Sequence, residues 1–185
     1  MATSTISAEA KHFTGWSIVI SLLVILAGIL AIALPLAAGI AVNIVVAWLL
    51  LFVGAAHLVF GWHMRGVGGV IWQILLGILY IGIGVYLLVH PLAGLLTLTL
   101  ALAIYLFVEG VLELILAFQI RPRRAWGWLL LDGVVTLILG LMIWRTWPAS
   151  TEWAIGTLVG ISMIFSGSTR LMLSMAARNL VNKLP

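Results

Sequence analysis

Polar residues along this chain gather in short stretches, and between them run six apolar segments, near 16–34, 40–62, 70–89, 94–118, 126–145 and 152–175. Each has about the 20 residues that a helix needs to cross the hydrocarbon of a bilayer. The pattern therefore predicts six transmembrane helices joined by short loops. The first segment has some features of a secretory signal, with Lys11 ahead of an apolar run and Ala33-Leu-Pro-Leu-Ala-Ala38 in place of a cleavage region. Its length and its internal counterparts argue that it is a retained span.

Those counterparts are found by counting. Trp16, Trp72 and Trp128 are evenly spaced, and a glycine follows each of them at the same distance, as Gly28, Gly84 and Gly140. A proline comes next at Pro35, Pro91 and, with one residue inserted, Pro148; at a constant distance beyond each proline stands Gly54, Gly110 or Gly167. Four landmarks in one register three times over make a tandem triplication. Its copies cover about 16–68, 72–124 and 128–178, within a single integral membrane domain spanning 1–185 and preceded by a tail at 1–13. Each copy reads as helix, proline turn such as Pro35–Gly39, helix, so it crosses the membrane twice and returns to its starting side. The predicted fold class is thus all-α, a polytopic bundle of three parallel helical hairpins. A pseudo-threefold arrangement about the membrane normal is expected, and two copies packed together with the third displaced is the other arrangement open to it.

Composition agrees with insertion and narrows the chemistry. Apolar residues make up 64% and charged residues 8%, against roughly 45–50% and 25% in soluble domains. No cysteine is present, which removes disulfides, thiolate metal sites and cysteine nucleophiles. The pI near 10.1 reflects basic residues in the loops that flank the spans, where topology and headgroups account for them, and no nucleic-acid partner is implied. Lys11, Arg65, Arg121, Arg123, Arg124, Arg178 and Lys183 share the side of the two termini, against Arg145 on the other. The positive-inside bias makes the first side cytoplasmic. The basic stretch Arg121, Arg123 and Arg124 is a candidate for anionic lipid or a cytoplasmic partner, topology determination being the plainer reading.

Three residues after the second glycine of each copy the side chain is ionisable, as His57, Glu113 and Arg170; seven after it the side chain is small, as Gly61, Ala117 and Ser174. At 100° per residue these form one stripe, with small residues for close helix contact and ionisable ones beside them, facing protein or water. Glu109 lies one turn before Glu113, and Asp132 falls at a similar depth in the fifth span. The candidate intramembrane cluster is therefore His57, Glu109, Glu113, Asp132 and Arg170, with a Glu113–Arg170 ion pair at its centre. A charge at mid-membrane costs about 2.5–3.5 kcal/mol on insertion scales, so retained charges imply pairing or a role. Tryptophans near helix ends form an interfacial belt. Gly66-Val-Gly-Gly69 reads as a turn, and the Gly156/Gly160 pair as internal packing. No metal-ligand spacing, cofactor motif or nucleophile-and-base arrangement is found, so no enzyme activity is expected.

The three-hairpin pattern, W-x11-G followed by a proline turn and a second glycine at fixed distance, resembles the HdeD-like family of small bacterial inner-membrane proteins over Trp16 to Ser174. The resemblance implies a six-span protein linked to acid resistance and stress. Two functions compete on these grounds. One is a non-enzymatic stress-response membrane protein with a structural or pH-responsive role, alone or as an oligomer of this chain. The other is a proton or small-solute channel or transporter using the ionisable layer.

Overall fold

The computed structural model describes the backbone of residues 2–63, 67–121 and 126–181, and side chains over 16–61, 68–121 and 126–176. The chain forms six helices: α1 (Ala2–Ala33), α2 (Pro35–His63), α3 (Val67–Val89), α4 (Pro91–Gln119), α5 (Trp126–Thr146) and α6 (Ala154–Val181). All six contain a stretch long and apolar enough to cross a membrane. The protein is multi-pass.

The proline turns are tighter than a loop over Pro35–Gly39. Leu34 alone separates α1 from α2, and His90 alone separates α3 from α4. Both joints are bonded to the helix on either side: Leu34 N donates to Leu30 O while Ala38 N donates to Leu34 O, and His90 N donates to Tyr86 O while Gly94 N donates to His90 O. Pro35 and Pro91 are the first residues of the second helices. A proline there has no N–H to lose, and its ring bars the preceding residue from continuing the earlier helix. The third joint is longer, passing through a cis Trp147–Pro148 bond and a 3₁₀ turn at Ala149–Glu152. Two other stretches are helical where the sequence suggests otherwise. Backbone from Ala2 onward already belongs to α1, and Gly68 and Gly69 begin α3; Gly66 lies outside the described residues.

The chain divides into two compact units, one of residues 1–38 with 155–185 and the other of 39–154. In the first, α1 packs antiparallel on α6. A methyl group added to Gly28 would come within 2.7 Å of Gly160 O, and one added to Gly160 within 2.7 Å of Gly28 O. Gly167 lies against Ser21 and Ile25, Gly156 against the Pro35 backbone, and the Ser17 and Ser174 hydroxyls share a 2.6 Å hydrogen bond. The second unit contains two pairs built the same way. In α2·α3, Gly84 meets Ala47 and Leu51 while Gly54 meets Gly77 and Ile81; in α4·α5, Gly140 meets Ala103 and Phe107 while Gly110 meets Gly133 and Leu137. Residues 21, 77 and 133 are repeat equivalents, as are 25, 81 and 137, so the same contacts recur in register.

Apolar side chains gain little by leaving lipid for a helix interface, so close backbone approach through small residues supplies much of the attraction. Gly110→Ala would place a methyl 2.6 Å from Leu137 N and 2.9 Å from Gly133 O. It is expected to lower unfolding free energy in mild detergent by about 1–3 kcal/mol. Gly82→Ala, with nothing within 4 Å, should leave stability unchanged or raise it by up to about 1 kcal/mol through helix propensity. Equal losses at both positions would mean that the interfaces do not depend on backbone approach.

Candidate functional site

The second helices set the depth of the ionisable layer. At 1.5 Å per residue, 29-residue α2 and α4 are about 43 Å long against about 30 Å of hydrocarbon. His57 and Glu113 stand equally far beyond Pro35 and Pro91, the first residues of α2 and α4, a separation of about 33 Å at helical rise. With Pro35 and Pro91 at one face of the bilayer, His57 and Glu113 fall at the opposite boundary.

Four of the five candidates belong to the second unit. His57 is half-buried on α2, its Nδ1 2.8 Å from Val53 O and its ring tilted against Tyr80 of α3, with centroids 5.3 Å apart. Glu109, also half-buried, accepts a 3.0 Å hydrogen bond from the Tyr105 hydroxyl one turn earlier on α4. Glu113 projects toward α5, where its Cβ lies 3.0 Å from the position of a methyl on Gly133. Its Oε2 is buried with no hydrogen-bond partner among the described residues, and Asp132 and Glu109 are close enough to act on it electrostatically. Asp132 itself is exposed. The structure thus brings together three carboxylates at the α4·α5 contact. Arg170 is exposed on α6, in the other unit, and has no ion-pair or hydrogen-bond partner among the described residues.

The glycine landmarks Gly28, Gly84, Gly140, Gly54, Gly110 and Gly167 all lie at helix contacts, as described above. Pro35 and Pro91 open α2 and α4, and Pro148 precedes the 3₁₀ turn. Trp16, Trp72 and Trp128 are exposed at 61%, 62% and 78%, facing away from the protein as belt residues do. Arg121 stacks over the Trp126 ring, its guanidinium carbon 4.9 Å from the centroid; Arg123 and Arg124 lie outside the described residues.

A second polar layer, near the proline turns, was not singled out from the sequence. Asn43, Thr99 and Ser150 are fully buried. Asn43 Nδ2 donates to Leu87 O at 3.0 Å across α2·α3, and its Oδ1, which has no hydrogen-bond partner among the described residues, presses on Gly94. Thr99 bonds back to Leu95 O, while Ser150 Oγ donates to Ile143 O and Trp147 Nε1 to Leu96 O, fastening the third turn to α5 and α4. The signal was present, since Asn43 and Thr99 are separated by the interval between Pro35 and Pro91 and hence are repeat equivalents. Isolated amides and hydroxyls in apolar runs are easily passed over. Tyr80 and Tyr105, which partner the layer of ionisable groups, gave no comparable signal.

The family model described as a short repeat of unknown function (DUF308) matches the chain twice, over residues 19–89 and 75–145. The second match is displaced from the first by the interval between Trp16 and Trp72, the period of the landmarks. Protein HdeD of Escherichia coli (strain K12) is 28% identical over 155 residues, covering 81% of this chain and 80% of that protein. Protein HdeD of Escherichia coli O157:H7 and of Shigella flexneri match to the same extent. No solved structure matches the chain.

The second polar layer is open to direct test. Asn43→Ala removes an interhelical hydrogen bond and buried volume, and should lower unfolding free energy by about 1–2 kcal/mol. Tyr105→Phe, which removes a contact within one exposed helix face, should change it by less than about 0.5 kcal/mol. Unfolding in detergent micelles measures both, and the reverse order would move the structural weight to the carboxylate layer.

Proposed function

The chain belongs to the family of the short repeat of unknown function (DUF308), and from that footing we propose a non-enzymatic, multi-pass bacterial inner-membrane protein of the acid-resistance type, with both termini cytoplasmic and a structural, pH-responsive role. The observation that carries this reading is the repeated glycine contact. All six helices are engaged in antiparallel pairs sealed at backbone distance, an arrangement suited to a stiff membrane element. The pairing also supports a pseudo-threefold order of the three hairpins, because α1 pairs with α6 through the positions used by α3 with α2 and by α5 with α4. The acid-resistance assignment rests on the likeness to HdeD. For pH response, the candidate layer is His57, Glu109, Glu113, Asp132 and Arg170. Ionised carboxylates on α4 and α5 repel one another, and acid discharges them at the contact between those helices.

One observation favours the channel or transporter reading. Glu113 Oε2 is buried without a hydrogen-bond partner among the described residues, as a relay group waiting for a proton would be. Proton flux into liposomes under an imposed pH gradient separates the two. The structural reading expects no flux above protein-free liposomes from the wild-type chain, and unchanged leakage in a Glu109→Gln, Glu113→Gln double variant. Wild-type flux that vanishes in the double variant, with fold and orientation retained, would overturn it in favour of a proton pathway.

A further inference from the structure

A proline at the start of a helix has no N–H to offer the carbonyl one turn back, in the helix before it. At the corner between α3 and α4 the carbonyl left without that partner is Leu87 O, one turn ahead of Pro91. The preceding N–H, on His90, is engaged with Tyr86 O at 2.9 Å, and His90 itself leaves helical geometry at φ −124° and ψ 68°. Leu87 is 4% exposed, so water has little access to it. An unpaired carbonyl buried in this way is costly where the surrounding solvent is lipid.

The missing donor comes from a third helix. Asn43 of α2 is fully buried, and its Nδ2 donates to Leu87 O at 3.0 Å. The other end of the same amide, Oδ1, lies against Gly94 at the start of α4, where an added methyl would collide with Oδ1 and with the Leu87 side chain. One side chain of α2 therefore touches both arms of the α3–α4 corner. The remaining joints are closed by other means. Ser150 Oγ donates to Ile143 O from within the third turn. Beside α1 the equivalent of Asn43 is Gly156, which has no side chain and rests on the Pro35 backbone. Thr99, the equivalent on α4, directs its hydroxyl to Leu95 O of its own helix.

We propose that the Asn43 amide stands in for the N–H that Pro91 lacks, and that the corner between α3 and α4 is thereby held from α2. Asn43 is on this view a positioning residue, a latch that makes the geometry of one hairpin depend on the helix that precedes it. Pro91 and Asn43 act as a pair: the proline ends α3 and the amide satisfies the carbonyl that this ending exposes.

Unfolding of the full-length chain in mild detergent, measured for Asn43→Leu, Pro91→Ala and the two combined, tests the pairing. Leucine keeps the branched shape of asparagine without the donor, and alanine at position 91 brings an N–H that Leu87 O can accept. Asn43→Leu is expected to lower the folding equilibrium constant by about tenfold in the wild-type background. Beside Pro91→Ala the loss should be smaller by a factor of about three or more. A smaller difference between the backgrounds would overturn the proposal and leave the amide as packing. Should Asn43→Leu fail to fold, Asn43→Thr enters the same cycle; recovery of either variant only beside Pro91→Ala supports the pairing, and failure of both in both backgrounds overturns it. Corner geometry is read separately, from the distance distribution between spin labels on Ile74→Cys and Leu112→Cys, exposed sites in a chain without native cysteine. Asn43→Leu, or Asn43→Thr in its place, should widen that distribution, whereas Gly28→Ala, which disturbs the α1·α6 contact, should not. An unchanged width in the folded Asn43 variant, or equal widening by Gly28→Ala, would overturn the latch.

Discussion

Water drives helices together by expelling apolar surface, and a bilayer does not, because a leucine on a spanning helix is about as well solvated by lipid as by its neighbours. What remains is contact at short range, and this chain obtains it by bringing backbones together where side chains are missing. Gly28 against Gly160, Gly54 against Gly77 and Gly110 against Gly133 leave no room for one added methyl. The large side chains, by contrast, mostly face outward. Phe52, Trp128 and Phe165 are 68%, 78% and 71% exposed, an arrangement that would be untenable in water.

Much of this was legible in the residues. Six spans followed from segment length, and the even register of tryptophan, glycine and proline revealed the repetition that the family matches also display. The pairing was harder to read. A repeat written as helix, turn, helix invites the idea that the two helices of one copy are close partners, whereas the glycine contacts join α2 to α3, α4 to α5 and α6 to α1. Counting locates the small residues and gives no indication of which other small residue each one meets.

The ionisable layer shows a different limit. Its members were evident as charges in apolar runs, but their surroundings depend on the neighbours that the fold supplies. Tyr80 comes to His57 from another helix, Tyr105 reaches Glu109 along the same one, and Glu113 faces Gly133. Near the opposite end, Asn43 and Thr99 share a repeat position yet differ in use, the amide reaching across to Leu87 O and the hydroxyl bonding back to its own helix. The longer amide reaches the neighbouring helix here, while the threonine hydroxyl takes the carbonyl one turn back on its own.

The pairing of α1 with α6 also bears on the order in which the protein is made. Helices α2 and α3, and then α4 and α5, can meet soon after leaving the ribosome because each pair is nearly contiguous. The first helix must wait for the last, since Gly28 and its partner Gly160 are separated by almost the whole chain. During translation α1 stands in the membrane with its glycine face uncovered, and a chain cut short before α6 never covers it. The seam between α1 and α6 therefore closes last, once α6 has been made.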